Sequence, residues 1–234
     1  MKTIGLVGGL TWYSSLEYYR IINEQINIRL GDDEAAKIIL NSVNYGEIKS
    51  LTLEGNWNKI TNIICGAAKK IEDAGADCIL IGANTMHKIA REVQDSINIP
   101  LIHIADAVAK EIKKRNLSTV ALLGTKYTMQ LNFYTNKLAE YEIETLIPDE
   151  EDVQMVNNSI YNELGKGLIF PQTKQNYLQL IDRLVGQGAE GIILGCTEIP
   201  LLIKQRDSPV PVLDTTFIHS MAAVNFALTE EKVF

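Results

Sequence analysis

Short apolar runs alternate with longer stretches of helical periodicity along nearly the whole chain. The short runs are rich in Ile, Val and Leu, and the longer ones repeat apolar residues every three or four positions. This alternation is typical of parallel strands joined by crossover helices, so it predicts an α/β fold. The predicted strands are residues 3–8, 37–43, 78–82, 101–104, 119–124, 192–195 and 210–214. The predicted helices are residues 15–30, 57–74, 105–115, 130–141, 153–164 and 173–187.

The two halves of the chain resemble each other in three segments that occur in the same order. The matched segments are 4–12 with 120–128, 75–85 with 188–198, and 99–103 with 210–214. The offset is roughly 110 residues in each pair, which favours an internal duplication over chance similarity between generic strand–turn–helix units. Tyr18 and Tyr134 also follow the first turn of each half at the same distance.

The duplication predicts two similar α/β lobes. We place the first at residues 1–104 and the second at residues 105–214. A final helix at residues 215–234 is a candidate to pack back on the first lobe.

Four turns of related sequence follow the repeated strands. They are residues 8–12, 83–87, 124–128 and 196–199. Ligands of open parallel sheets bind beyond the carboxyl ends of the strands, so two lobes facing each other about a pseudo-twofold would bring these turns to one cleft. The small polar side chains there suit the carboxylate and ammonium of a small zwitterion without a bound metal, although each threonine alone is also a candidate helix cap. These side chains are Thr11, Asn84, Thr85, Thr125, Thr128 and Thr197.

Cys196 is the strongest candidate for a catalytic residue. It follows an apolar strand and a glycine and opens a segment of helical character, where backbone N–H groups would lower the pKa of a thiol. The alternative is a buried structural cysteine, which we expect for Cys65 and Cys78. Three widely spaced cysteines without a CxxC pair argue against both disulfides and a zinc site.

Composition excludes several classes of protein. Hydrophobic residues make up 46% of the chain and charged residues 22%, as in ordinary globular proteins. The net charge of −7 offers no basic face for nucleic acid. No apolar run is long enough to span a bilayer, and the N-terminus leads into a strand without a signal-peptide pattern. These features predict a cytoplasmic protein that engages neither nucleic acid nor membrane.

Four motifs at these turns recur together in one known family. They are Gly-Leu-Val-Gly-Gly-Leu-Thr-Trp at 5–12, Gly-Ala-Asn-Thr-Met-His at 82–87, Leu-Leu-Gly-Thr-Lys-Tyr-Thr-Met at 122–129 and Gly-Cys-Thr-Glu at 195–198. Over essentially its whole length the chain resembles the aspartate/glutamate racemase superfamily, most nearly its broad-specificity amino-acid racemases. The resemblance implies two flavodoxin-like lobes with mainly parallel sheets, an active site between them, no cofactor, and a homodimer.

The resemblance also implies a mechanism and a set of site residues. Two cysteines act on opposite faces of an amino acid such as aspartate or glutamate, one thiolate removing the α-proton and the other thiol returning one. Cys196 corresponds to one of them. The residues implied in substrate binding are Gly9, Thr11, Trp12, Asn84, Thr85, Thr125, Tyr127, Thr128 and Thr197.

Ala83 occupies the position of the second cysteine, and a methyl group can neither accept nor deliver a proton. Four interpretations follow. The chain racemises slowly or by one base, with water or Thr85 on that side. It resembles the single-cysteine decarboxylases of the superfamily, which need one proton donor. It binds amino acids without catalysing a reaction. Lastly, Ala83 is an engineered replacement of cysteine.

Neighbouring polar residues refine the hypothesis. Glu198 is a candidate base or orienting group for Cys196, and equally a carboxylate placed well in the first turn of a helix. His87 is predicted to face away from the cleft and to be structural. A preference for acidic substrates would need a cation near the distal carboxylate, for which Lys126 and Lys166 are the candidates, although both are equally ordinary surface lysines.

Overall fold

The protein divides into two compact units. The structure is a computed structural model that describes residues 1–229. Among the described residues, one unit contains Met1–Ile104 and residues 219–229, and the other contains Ala105–Ile218. Residues 230–234, which the sequence analysis assigns to the final helix, lie outside the described residues.

The first unit is built on a parallel sheet with the strand order β2-β1-β3. The strands are β1 (Ile4–Gly8), β2 (Ile38–Ser42) and β3 (Cys78–Ile81). Ile4 pairs with Ile38 on one side and with Cys78 on the other. All residues of β1 and β3 are buried, which explains why both read as unbroken apolar runs.

Helices cover this sheet because their apolar residues recur at helical spacing. In α3 the buried residues Ile60, Ile64, Ala67 and Ile71 form one stripe. The helices are α1 (Trp12–Leu30), α2 (Tyr45–Leu53), α3 (Trp57–Asp73) and α4 (Ala90–Asp95), and a 3₁₀ helix spans Thr85–Ile89.

The second unit repeats this arrangement with the strand order β5-β4-β6-β7, again all parallel. The strands are β4 (Thr119–Gly124), β5 (Glu144–Leu146), β6 (Ile192–Gly195) and β7 (Val212–Asp214). The helices are α5 (Ile104–Lys114), α6 (Lys126–Gln130), α7 (Phe133–Ala139), α8 (Glu150–Asn162), α9 (Pro171–Gly186), α10 (Ile199–Leu202) and α11 (Thr215–Leu228). Two 3₁₀ helices span Leu164–Lys166 and Gln205–Asp207. The first strand of each unit therefore lies between the second and third.

Alternate residues along the strands of the first sheet point to opposite faces, and each face packs into its own hydrophobic core. Val7 and Ile79 pack with α3, whereas Ile4 and Leu80 pack with α1 and α11. The contribution of α11 comes from Ala223, Val224 and Ala227, so the described end of this helix belongs to the core of the first unit. No helix among residues 1–229 combines the length and the apolar character that crossing a membrane requires.

Two predicted elements are wrong in extent. The strand predicted at 101–104 is reduced to a single bridge between Leu101 and Ile79, and Ile104 already begins α5. Pro100 has no N–H to extend a ladder, and the side chain of Gln94 bonds the backbone of Ile99 and Leu101 instead. The helix predicted at 130–141 is interrupted because Leu131 takes an extended conformation between α6 and α7.

Several short elements were missed by the sequence analysis. β5 has only three residues, too few for a period-2 pattern to stand out. The short helices α2 and α4 and the 3₁₀ helix before α4 likewise give little periodic signal. Strand 210–214 is shortened to Val212–Asp214 because Pro211 cannot donate to the sheet.

Candidate active site

The turn after β6 holds a buried thiol bonded to a carboxylate. Cys196 Sγ donates to Glu198 Oε2 at 2.9 Å, and Thr197 Oγ1 donates to the same oxygen at 2.7 Å. Cys196 is 9% exposed and Glu198 6% exposed. A buried carboxylate that accepts two hydrogen bonds holds both donors in place, so these three consecutive residues form one hydrogen-bonded group.

The expectation of an acidic thiol at Cys196 is wrong for this arrangement. Burial raises the pKa of the Cys196 thiol well above its ordinary value, and the charge and hydrogen bond of Glu198 raise it further. Hydrogen bonds from the backbone N–H groups of Thr197 and Glu198 lower the pKa of the thiol, but by less than burial and Glu198 raise it. The following helix, α10, begins only at Ile199 and has four residues, so its dipole is weak. Cys196 is therefore a protonated thiol whose proton points at a carboxylate.

The turns after β4 and β6 approach each other closely. Gly124 pairs with Gly195 in the sheet, and a Cβ on Gly124 would lie 2.9 Å from the Gly195 carbonyl. Only glycine fits such an approach of two backbones. Thr125 caps α6 by accepting from the Thr128 N–H at 3.3 Å, and the two threonine hydroxyls lie 3.1 Å apart. Thr128 is fully buried.

Buried hydroxyl groups of the second unit form hydrogen bonds that the sequence analysis did not predict. One of them holds the backbone just before Cys196. Thr215 Oγ1 donates to the Leu194 carbonyl at 2.9 Å, two residues before Cys196. Tyr177 is fully buried and its hydroxyl lies 2.9 Å from Ser159 Oγ. Burial raises the pKa of Tyr177, and the hydrogen bond to Ser159 acts in the opposite direction. These hydroxyls lie mid-helix or at a helix start, where no local pattern in the sequence distinguishes them from surface residues.

In the first unit, two buried serines of α1 order the turns after β1 and β3. Ser14 Oγ donates to the Gly82 carbonyl, immediately before Ala83. Ser15 Oγ accepts from the Gly9 N–H at 2.8 Å and donates to the Thr11 carbonyl at 3.2 Å. Gly9 has φ +74°, in the left-handed region where a side chain would be strained. The serines therefore bring together the two turns of this unit that the sequence predicts to carry site residues.

Ala83 sits at the start of the second of these turns. Its N–H donates to the Ile81 carbonyl at 2.8 Å, and its methyl group packs partly buried against the core. Asn84 is 5% exposed, and Thr85 is partly exposed at the start of the 3₁₀ helix. The position that the resemblance assigns to a second cysteine is thus a well-ordered backbone site with a methyl side chain.

One of the remaining candidates caps a helix, and the others are exposed or partly exposed side chains. Thr11 caps α1 by accepting from the Ser14 N–H at 3.1 Å, the alternative role considered for each threonine. Trp12 is 62% exposed and stacks on Tyr13, and Tyr127 is partly exposed. Lys126 pairs with Glu150 at 3.4 Å, so its charge is already partly neutralised.

Parallel sheets flanked by helices, with a thiol–carboxylate pair at a strand end, define an α/β protein with a candidate site at the carboxyl end of a strand. The profile of the Asp/Glu/hydantoin racemase family matches residues 7–223. A Yersinia pestis protein, solved as a candidate Asp/Glu racemase, is 43% identical over 98% of this chain and 100% of its own, with a TM-score of 0.93. An aspartate racemase homologue from Pyrococcus horikoshii OT3 is 37% identical with the same coverage and a TM-score of 0.86. A broad-specificity amino-acid racemase of Bacillus subtilis is 28% identical over 175 residues, 75% of each chain.

These matches establish the family. The chain belongs to the Asp/Glu/hydantoin racemase family, as its motifs predict.

Proposed function

We propose that the chain is a cofactor-independent amino-acid racemase in which Cys196 exchanges a proton with the α-carbon of its substrate. Family membership supports the activity. The observation that carries the role of the thiol is its hydrogen bond of 2.9 Å to Glu198. A neutral thiol already bonded to a carboxylate has an acceptor for its proton, which is the first requirement of a general base that starts protonated.

The proposed step moves one proton at a time. Glu198 accepts the proton of Cys196, and the thiolate lone pair then forms a new S–H bond with the α-proton. The electrons of the broken C–H bond stay on the substrate and spread into its carboxylate. A substrate ammonium near the sulfur would offset the charge of Glu198 and lower the pKa of the thiol in the complex. Thr197, donating to the same Glu198 oxygen, keeps the carboxylate oriented.

Inversion needs a second proton donor on the opposite face of the α-carbon. In the proposed assignment that face belongs to Ala83, which offers no acid. Water or Thr85 remains as the donor there. We therefore expect α-proton exchange to be faster than inversion, because return of a proton from Cys196 restores the original configuration.

A single-cysteine decarboxylase is the second candidate. The observation that favours it is the raised pKa of Cys196, which makes the resting thiol a proton donor. A substrate that loses CO₂ leaves an electron pair on carbon, the thiol protonates that carbon, and the resulting thiolate takes a proton back from water. This reaction needs one donor and makes no demand on Ala83.

The test is α-proton exchange in D₂O, followed by NMR over a panel of L- and D-amino acids. The racemase proposal predicts exchange by the natural chain, loss in Cys196→Ala, and faster inversion in Ala83→Cys. Cys65→Ala is the matched thiol control and should behave as the natural chain, since Cys65 lies in α3. Absence of exchange in all variants, with CO₂ released from substituted malonates, would replace the racemase by the decarboxylase. Absence of both reactions would reject both.

A further inference from the structure

All three histidines of the chain lie together in the first unit. The ring centroids of His87 and His103 are 4.6 Å apart, and those of His87 and His219 are 5.5 Å apart. His87 is 2% exposed and His219 is fully buried. The three rings come from different segments: the 3₁₀ helix Thr85–Ile89, the residues after Leu101, and α11.

His219 is held as a neutral ring by its two hydrogen bonds. Its Nε2 lies 2.7 Å from the Ile102 carbonyl, and its Nδ1 lies 2.8 Å from the hydroxyl of Tyr18. A carbonyl only accepts, so Nε2 must donate and Nδ1 must accept from Tyr18. A second proton on Nδ1 would remove that acceptor. The pKa of His219 is lowered to about 3, chiefly by burial.

Burial also disfavours the charged form of His87. Among residues 1–229 neither ring nitrogen has a partner that meets hydrogen-bond geometry, although the nearby Ile81 carbonyl acts to raise the pKa of the ring. Burial lowers the pKa of His87 well below its ordinary value, and His103 and His219 lower it further. The ionisable groups acting on these two rings are imidazoles rather than carboxylates. Within residues 1–229 no three His, Cys, Asp or Glu side chains are arranged to hold a metal ion.

We propose that the cluster of His87, His103 and His219 is an acid-triggered release for the turn that follows β3. With neutral rings the cluster holds the 3₁₀ helix Thr85–Ile89 against α11. When the rings take up protons, this 3₁₀ helix and α4 open locally and reversibly, while the second unit stays folded. The release reaches the candidate site directly, because Ala83 and Asn84 immediately precede the 3₁₀ helix.

The local character of the release follows from the size of the segment. The 3₁₀ helix has five residues and α4 has six, so opening them breaks few backbone hydrogen bonds, and the main cost is exposure of the buried side chains of Met86, Ile89 and Val93. In the open segment His87 titrates as a free imidazole, and its protonation traps the open form. Each histidine freed in this way raises the opening equilibrium by about tenfold for each pH unit below its free pKa.

The test is amide hydrogen exchange read by mass spectrometry at about pH 7.5 and about pH 5, corrected for the intrinsic rate. Protection of residues 84–95 should fall by about 30-fold for one freed histidine, and by more if His103 and His219 are freed too. Residues 196–203, the matching turn and helix of the second unit, contain no histidine and should keep their protection. The measurement uses no substrate, so its result is independent of the proposed activity.

The variant His87→Phe separates titration from packing. Phenylalanine fills the site without titrating, so the fall in protection should shrink at least tenfold. If that variant folds poorly, the pKa values of the imidazole rings can instead be measured by NMR in the unsubstituted folded chain. Rings that titrate near their ordinary pKa in the folded protein would overturn the proposal. Equal loss of protection in both segments, or none in either, would overturn it as well.

Discussion

The duplicated tyrosines Tyr18 and Tyr134 offer a matched pair of mutations. Each side chain is fully buried. The hydroxyl of Tyr18 donates to His219 Nδ1 at 2.8 Å, whereas that of Tyr134 has no hydrogen-bond partner among the described residues. Burial raises the pKa of Tyr134, so its phenol stays neutral at every ordinary pH. Removing the hydroxyl by Tyr→Phe should therefore have opposite effects at the two positions.

The expected magnitudes follow from hydrogen-bond satisfaction. Tyr18→Phe leaves a buried imidazole nitrogen without a donor, which should lower the free energy of unfolding by about 1–3 kcal/mol. Tyr134→Phe removes a buried hydroxyl that makes no hydrogen bond, so the change should lie between zero and a gain of about 1 kcal/mol. The two variants should thus differ by roughly 1–4 kcal/mol, although both lose one oxygen atom from a buried tyrosine.

Urea unfolding gives the comparison directly. Far-UV circular dichroism reports both units, and Trp12 and Trp57, the two tryptophans of the chain, report the first unit by fluorescence. The midpoint should fall for Tyr18→Phe and stay or rise for Tyr134→Phe, with the slope of the transition unchanged. Equal destabilisation by both substitutions would refute the reasoning, because it would mean that ring packing and not hydroxyl satisfaction sets the effect.

Three further predictions rest on other contacts. Glu198→Gln removes the charge that raises the pKa of Cys196, so alkylation of this thiol in the folded protein should become faster at about pH 8; an unchanged rate would contradict this. Burial lowers the pKa of His219 to about 3 in the folded protein, below the ordinary value of about 6.5 for a free imidazole, so the unfolded chain binds more protons between these values. Stability should therefore fall by about 2 kcal/mol from this group between neutral pH and about pH 5, and a flat profile in urea unfolding would contradict this. Gly195→Ala places a Cβ 3.0 Å from two neighbouring atoms and should lower the free energy of unfolding by about 1–3 kcal/mol. Gly66→Ala, in the open space beside α3, should instead raise it by up to about 1 kcal/mol. Equal effects of the two substitutions on the urea midpoint would contradict the packing argument.

Much of the fold was accessible from the sequence because parallel strands buried on both faces read as apolar runs. β1, β4 and β6 were predicted within a residue of their observed bounds. The errors occur where local pattern is overridden by a specific contact. Pro100 and the side chain of Gln94 replaced a predicted strand by one bridge, a contact that depends on the fold around it.

The sequence shows that Cys196 and Glu198 lie close together, but it does not show how they affect each other's charge. Cys196 and Glu198 are two positions apart, and sequence shows that they are near. Whether the thiol is acidic depends on the balance between backbone N–H groups, burial and the carboxylate, which only the structure gives. The histidine cluster was harder to foresee, since His87 and His219 are brought together by tertiary packing across most of the chain length.

The two units share a core strand order but carry different side chains at the matching turn. After β6 the chain places a thiol that donates a hydrogen bond to Glu198, and after β3 it places a methyl group on a backbone held by hydrogen bonds to Ser14 and Ile81. A duplicated scaffold keeps both backbones in comparable positions whether or not both side chains can transfer protons. Under the proposed mechanism, restoring a thiol at Ala83 should therefore require no change in the fold, and its effect on inversion measures how much of the activity that one side chain controls.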